Sequence, residues 1–195
     1  MRDQNHDDEH CMARLKEGDD LALNDLMRRW KEPLVTFALR YTGNATDALE
    51  IAQETFVKVY GARRRYRPTA AFSTWLFRIA ANLCKMRARW RSRHPEVLEA
   101  DPGASAEGAV VKAASDDDPR AEVDRRALGD DLSLAIRKLP HDLRISFILF
   151  EIESHSYRQI ASVQKCSEKA VERRVAKARE RLRSILAPKW REPIG

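Results

Sequence analysis

The chain has 195 residues, of which 43% are hydrophobic and 34% charged, and its formal net charge is +6. This length allows one large domain or two small ones with packed cores. Three well-separated cysteines, Cys11, Cys84 and Cys166, provide neither a disulfide framework nor a CxxC metal motif, and no apolar run is long enough to span a membrane. These features argue against a disulfide-stapled secreted protein or an inserted membrane protein and favour a cytoplasmic one.

Charge is strongly segregated along the chain. Residues 58–93 carry eleven basic and no acidic side chains, and residues 137–195 carry fourteen basic and seven acidic ones. Between them, residues 94–136 carry eleven acidic and only four basic side chains. Two basic blocks separated by an acidic one indicate two contacts with a polyanion such as nucleic acid.

The first eleven residues are polar and acidic, and they are predicted to be a polar tail. Within them, His6, His10 and Cys11 could bind a metal ion, but a disordered tail is the favoured interpretation, so no metal and no cofactor are predicted. Residues 12–94 then read as an N-terminal helical domain, because apolar residues recur at helical spacing. In the helix that begins near Asp47, the predicted buried stripe is Ala48, Ile51, Ala52, Thr55, Phe56 and Val59, and the opposite face carries Glu50, Gln53, Glu54 and Val57.

Residues 95–120 form a different kind of segment. They contain several prolines, glycines and alanines and the acidic run Asp116–Asp118, without apolar periodicity. This composition predicts a flexible acidic linker. The overall prediction is an all-α protein of two small helical domains, the second covering residues 121–187 and followed by a tail at 188–195.

The second domain contains a helix-turn-helix pattern, with "YRQIASV" as the first helix and "SEKAVERRVAKARERL" as the second. Ile160, Ala161 and Val163 supply the apolar contacts of the first helix, residues 164–166 form the turn, and Ser167 is a candidate N-cap. On the second helix, Val171, Val175, Ala178, Leu182 and Ile185 make one apolar stripe, opposite Lys169, Arg173, Ala176, Lys177 and Glu180. An apolar side with a basic side opposite is typical of a recognition helix in the DNA major groove, although a basic surface helix of a plain bundle has the same pattern.

The basic block at 58–93 interleaves cations with aromatic side chains. Its arginines include Arg63, Arg64, Arg65 and Arg67, and its aromatic residues include Tyr66, Phe72, Trp75, Phe77 and Trp90. Cations that follow phosphates and aromatic rings that stack on bases are typical of a single-strand site, whereas Trp75 or Phe77 could instead belong to the core. Neither GxGxxG, nor a P-loop, nor HExxH occurs, so the sequence does not indicate an enzyme.

Four motifs in order resemble the extracytoplasmic-function (ECF) sigma factors of bacterial RNA polymerase. They are "DALEIAQETFVKVY", "FSTWLFRIAANLCK", "IRKLPHDLRISFIL" and "YRQIASV…SEKAVERRVAKARERLR". The likeness covers about residues 12–93 and 121–187. It implies a non-enzymatic initiation factor whose partners are core RNA polymerase, promoter DNA and an anti-sigma factor, with stress or metal signals as candidate inducers.

The resemblance also implies roles for individual residues. Clamp binding falls to Asp47, Glu50, Gln53 and Glu54. Binding of the −10 element is assigned to the loop residues Arg63, Arg64, Arg65, Tyr66, Arg67 and Phe72, with Asn82 and Lys85 on the next helix. The aromatic and basic pattern adds Trp75, and it adds Arg89, which lies four residues after Lys85 on the same face. Binding of the −35 element falls to Ser167, Lys169, Glu172, Arg173, Ala176 and Lys177.

The chain departs from the family pattern at several positions. It has Met86 where Asp or Asn is common, and Lys165 where the turn usually has Gly. The entry to the second helix is Lys169-Ala170-Val171 instead of the usual Gly-Thr-Val, and Glu172 replaces a common basic residue.

Two other functions fit the residues alone. One is a helix-turn-helix regulator that binds duplex DNA without core polymerase. The other is a helical adaptor whose charges only keep it in solution.

Overall fold

The structure is a computed structural model that describes residues 2–94 and 119–188. The first part contains α1 (Arg2–Glu17), α2 (Leu21–Thr42), α3 (Ala45–Ala62), a 3₁₀ turn (Arg63–Arg65) and α4 (Phe72–Arg93). The second contains α5 (Pro119–Arg137), α6 (His141–Phe147), a π-helical segment (Ile148–Ile152), α7 (Tyr157–Gln164) and α8 (Glu168–Leu186). No strand occurs in these two ranges, so the predicted all-α fold of two helical units is confirmed. Most of the predicted linker and the tail after residue 188 lie outside the described residues.

Local sequence signals explain where several helices begin and end. The α2 helix ends at Gly43, which adopts a left-handed conformation (φ 68°) that glycine tolerates without strain. The side chain of Asn44 then caps α3 by accepting the Asp47 amide at 2.8 Å. Ser156 and Gln159 form a reciprocal capping box at the start of α7, and Ser167 accepts the Ala170 amide at the start of α8.

The α1 helix corrects the prediction of a polar tail. Residues 2–11 belong to α1, and the Asn5 side chain accepts the Phe72 amide at 2.9 Å, which caps the start of α4. Asp8 is buried, forms an ion pair with Arg29 and accepts the Trp30 indole N–H at 3.1 Å. Burial raises the pKa of Asp8, while the bonds to Trp30 and Arg29 oppose this change. The polar composition of residues 2–11 gives no sign of these tertiary partners, which lie on α2 and α4.

The core of the N-terminal half is aromatic and aliphatic. Phe37 and Phe77 meet edge to face with ring centroids 5.2 Å apart, and both are fully buried. All six residues of the predicted α3 stripe are buried, so the helical periodicity placed that face correctly. The α3 helix therefore presents a defined outer surface to solvent.

The C-terminal half packs around the inner face of α8. Val171, Val175, Ala178 and Leu182 are buried, and Ile160, Ala161 and Val163 of α7 are buried opposite them, as predicted. Among the α5 side chains that the structure describes, those towards the end of the helix are the buried ones. Ala135, Ile136 and Leu139 are buried, but Leu128 and Leu132 are exposed.

The two halves contact each other directly. Arg78 on α4 donates to the backbone oxygen of Ser162 on α7 at 3.1 Å and to its hydroxyl at 3.0 Å. The Tyr41 hydroxyl lies 2.8 Å from Nδ1 of His141, and Arg144 donates to the Tyr41 carbonyl at 3.0 Å while its guanidinium lies over the Tyr41 ring. The two halves thus meet in part through polar side chains that find their hydrogen-bond partners across the interface.

Candidate nucleic-acid and polymerase interface

The outer face of α8 is exposed and mostly polar. All members of the predicted −35 set are exposed: Ser167, Lys169, Glu172, Arg173, Ala176 and Lys177. Ser167 also caps the helix. The arrangement matches a helix that is held by one face and offers the other to a groove.

A network of hydrogen bonds holds the turn before α8. The Gln164 side-chain oxygen accepts from the Ser146 hydroxyl at 2.9 Å and from Arg174 at 2.6 Å. Arg174 also forms an ion pair with Asp142 at 3.2 Å. Arg174 therefore stabilises the helix-turn-helix from inside, although it is one of the cations in the basic run.

Lys165 adopts the left-handed conformation that its position in the turn suggests. Its φ and ψ are 52° and 51°. For a residue with a Cβ atom this conformation costs about 1 kcal/mol. The usual glycine of the family pattern would avoid that cost.

The loop after α3 divides the predicted −10 residues into two groups. Arg64, Arg65 and Arg67 are exposed, and none of their side chains forms a hydrogen bond or ion pair within the described residues. Arg63 instead lies over the Tyr60 ring, 3.8 Å from its centroid, and donates to the Tyr60 carbonyl at 2.9 Å. Three cations of the loop thus face solvent, and the fourth braces the end of α3.

The aromatic residues of this region form a packed cluster. Phe72 is fully buried, which corrects the expectation that it contacts DNA. The Tyr66 ring lies 4.8 Å from Trp75 and 6.3 Å from Phe72, and all three are parts of or packed on the core. The Tyr66 hydroxyl is buried without a hydrogen-bond partner among the described residues, and burial raises its pKa to about 12. Tyr66 and Trp75 keep only part of their surface open to solvent.

The α4 helix continues the basic surface. Asn82 and Arg89 are exposed and Lys85 is half-buried. Arg87 and Arg91 have a different role, because both form ion pairs with Asp47 of α3 at 3.2 and 2.5 Å. The part of α4 that remains cationic is therefore smaller than the basic run suggests.

The outer face of α3 combines acidic and apolar side chains. Glu50, Gln53 and Glu54 are exposed, whereas Asp47 is only 2% exposed and does not belong to this surface. Leu49 and Val57 are also exposed, at 47% and 68%. The periodicity already placed Val57 here, and Leu49, four residues before Gln53, was missed although its spacing indicates the same face. Glu50 is ion-paired with Arg87, and Glu54 with Lys58.

The residues considered for metal binding do not form a site. His6 and His10 are exposed while Cys11 is buried, and the described part of the chain holds no group of three or more side chains placed to bind a metal ion. Burial raises the pKa of the Cys11 thiol. None of the described helices is long and apolar enough to cross a membrane.

Comparison with known proteins places both halves in one family. Residues 26–94 match sigma-70 region 2, and residues 129–182 match sigma-70 region 4. The chain is 33% identical to the RNA polymerase sigma-H factor of Pseudomonas aeruginosa, over 95% of this chain and 96% of the relative. It is 30% identical to the ECF RNA polymerase sigma-E factor of Escherichia coli K12, over 93% and 95%.

Two solved structures share the fold. CnrH in complex with the cytosolic domain of CnrY has a TM-score of 0.65 at 25% identity, over 93% of this chain and 98% of that one. The sigma factor RpoE in complex with the anti-sigma factor NepR from Bartonella quintana has a TM-score of 0.61 at 23% identity, over 84% and 96%. The motifs, the two helical units and these relatives together establish that the chain belongs to the ECF sigma factors of the sigma-70 family, which bind core RNA polymerase and promoter DNA.

Proposed function

We propose that this protein directs core RNA polymerase to promoters by reading the −35 duplex with α8 and by holding the melted −10 element with residues 63–71 and α4. The observation that carries the proposal is the division of α8 into a buried apolar face and an outer face on which Lys169, Arg173 and Lys177 are all exposed. Long basic side chains on such a face can reach base edges and phosphates in the major groove.

The proposed −10 contact rests on the exposed cations of the loop. Arg64, Arg65 and Arg67 can hold the strand backbone, and Asn82 and Arg89 extend the polar surface along α4. Tyr66 and Trp75 contribute only the ring surface left open by their packing. The aromatic cluster thus acts mainly as the rigid support on which the loop is built.

The proposed polymerase contact is the outer face of α3. Glu50 and Glu54 give it negative charge, and exposed Leu49 and Val57 give it apolar area beside that charge. A surface of this composition fits a partner surface that is basic with an apolar centre.

The contact between the two halves must part when both promoter elements are bound. Elements centred near −35 and −10 are about 25 base pairs apart, or roughly 85 Å of straight duplex. In the structure, α4 and α7 touch through Arg78 and Ser162. We therefore propose that the packed arrangement is a resting form and that an anti-sigma factor, as named in the RpoE–NepR structure, keeps this protein in it.

Run-off transcription with core polymerase on a library of genomic fragments tests the whole proposal. The wild-type chain should produce defined transcripts that core polymerase alone does not make. An absence of such transcripts, together with binding to specific duplex DNA, would instead favour a regulator that does not act through core polymerase. An absence of salt-dependent DNA binding would favour an adaptor.

Variants assign the two N-terminal surfaces. Arg64→Ala with Arg67→Ala should leave polymerase binding intact and reduce the permanganate reactivity of thymines near the start site. Glu50→Lys with Glu54→Lys should weaken polymerase binding, and Glu17→Lys, an exposed change at the end of α1, serves as its control. Normal promoter opening by the arginine variant would place melting elsewhere, with Trp75 and Asn82 tested next.

A further inference from the structure

The turn between α7 and α8 contains a backbone conformation that its residue type disfavours. Lys165 has φ 52°, and among the described residues only Ser154, with φ 53°, is another non-glycine residue with positive φ. Glycine would adopt this conformation without steric conflict between Cβ and the backbone. A lysine at this position therefore needs an explanation other than the shape of the turn.

The turn cannot relax to relieve this conflict. The Cys166 amide donates to the Ala161 carbonyl at 3.0 Å, a bond that closes the end of α7. On either side of Lys165, Gln164 is held by Ser146 and Arg174, and Arg174 also contacts the Cys166 sulfur at 3.2 Å. The fold thus holds the backbone of Lys165 in the left-handed region.

The Lys165 side chain makes no polar contact that would stabilise the described part of the fold. It is exposed, and no hydrogen bond or ion pair joins it to another residue of the described ranges. Its neighbours in the turn are all directed into the network around Arg174, so Lys165 is the side chain of the turn that is left to face outward. A folding role does not account for it.

The position of Lys165 beside α8 does account for a lysine in this conformation. The residue lies two positions before Ser167, the cap of α8, and so stands beside the end of the helix that enters the groove in helix-turn-helix proteins. A lysine there carries a point charge on a flexible stem that can reach the phosphates bordering the groove. We infer that Lys165 is a DNA phosphate-binding residue, and that this role explains why a lysine occupies a left-handed backbone position. This inference rests on the proposed role of α8 in binding duplex DNA.

The substitution Lys165→Gly separates the backbone conformation at this position from the charge of its side chain. It removes the steric conflict, so the melting temperature of the full chain should rise by about 2–4 °C. It also removes one phosphate contact, so binding to a mixed-sequence duplex should weaken and depend less on salt. Between about 50 and about 200 mM salt, the affinity of the variant should fall about threefold less than that of the wild type, which is the contribution of one phosphate.

Three controls make the result specific. Ser154→Gly relieves the other left-handed residue and should raise stability without changing DNA affinity. Lys31→Ala removes an exposed charge from α2 and should leave the salt dependence unchanged. Lys165→Arg should retain binding, because it keeps the charge.

A Lys165→Gly variant that binds the duplex with the wild-type salt dependence would overturn the inference, whatever its stability. Failure of the wild-type chain to bind any duplex would overturn the proposed role of α8 as well, and so would be distinguished from the first result.

Discussion

The two proposed DNA-binding surfaces are built in different ways. On α8, the outward residues follow directly from the helical repeat, and the buried residues beneath them come from the same helix and from α5, α6 and α7 packed against it. Around the loop after α3, the exposed Arg64 and Arg67 lie beside Phe72, which is fully buried, and Tyr66, which packs against Trp75. The first surface is a face of one helix, and the second depends on packing among several elements.

This difference predicts that substitutions will behave differently at the two sites. On α8, an outward residue can be changed without loss of stability, so a binding defect there reports directly on DNA contact. Around the loop, aromatic substitutions affect the core before they affect any ligand. A loss of function there has to be judged against the stability of the domain.

The largest effect is expected for Phe72→Ala. Its ring lies in the core between Trp30 and Trp75, with centroid distances of 6.3 and 5.9 Å. Removing it should lower the free energy of unfolding by about 3–5 kcal/mol, because it leaves a cavity. Urea denaturation of the full chain measures this, and Arg67→Ala, an exposed neighbour, should change the same quantity by no more than about 0.5 kcal/mol. Wild-type stability in Phe72→Ala would return Phe72 to the DNA-contacting set.

Asp47→Asn tests whether the buried Asp47 stabilises the fold while the exposed acidic residues of α3 contribute little to it. Asp47 is buried against Arg87 and Arg91, so the substitution should lower the free energy of unfolding by about 1.5–3 kcal/mol. Glu54→Gln affects only an exposed pair with Lys58 at 3.2 Å, and should cost less than about 0.5 kcal/mol. Equal costs in urea denaturation would contradict the distinction between buried Asp47 and the α3 surface.

Arg173→Ala tests the DNA-binding surface of α8. Arg173 is exposed on α8 and supports no other element, so the thermal stability should stay at the wild-type level. Discrimination of the −35 element over random duplex should fall by about 1–3 kcal/mol if Arg173 contacts a base edge. Titration of both duplexes measures this. An equal loss of affinity for the −35 duplex and for random duplex would make Arg173 a phosphate contact instead.

Acidification should weaken the contact between the halves through His141. Burial lowers the pKa of His141 to about 4, with Asp142 opposing and Lys85, Arg144 and Arg89 adding to the effect. The unfolded chain, with an ordinary pKa near 6.5, therefore binds more protons between these two values, and stability falls as pH falls through this window.

The size of this effect is modest. Between pH 7 and about pH 5.5, the wild type should lose about 1 kcal/mol more unfolding free energy than His141→Asn. Comparing the two variants isolates His141, because His155 and Glu153, whose pKa values burial lowers and raises respectively, are present in both. Parallel pH profiles would mean that His141 does not titrate from a buried position.

Much of the molecule followed from local pattern. The α3 stripe, the helix-turn-helix boundaries, the Ser167 cap and the outward set on α8 were all predicted from spacing and are found in the structure. The failures share a cause. The polar tail at residues 2–11 was predicted from local composition, and the roles of Asp47 and Phe72 from motif positions, whereas their burial depends on elements far away in the chain.

The sequence by itself determined that the protein is helical, where its helices turn, and which face of α8 points outward, because these depend on a repeat of 3.6 residues and on caps within a few positions. Only the tertiary structure decided which charges remain available. Residues 58–93 contain no acidic side chain, yet Asp47 and Glu50 of α3 reach Arg87 and Arg91 of α4 and form ion pairs with them. Asn5 likewise caps a helix that begins at Phe72. The energy of such contacts depends on distance in space, and a charge run along the chain does not reveal it.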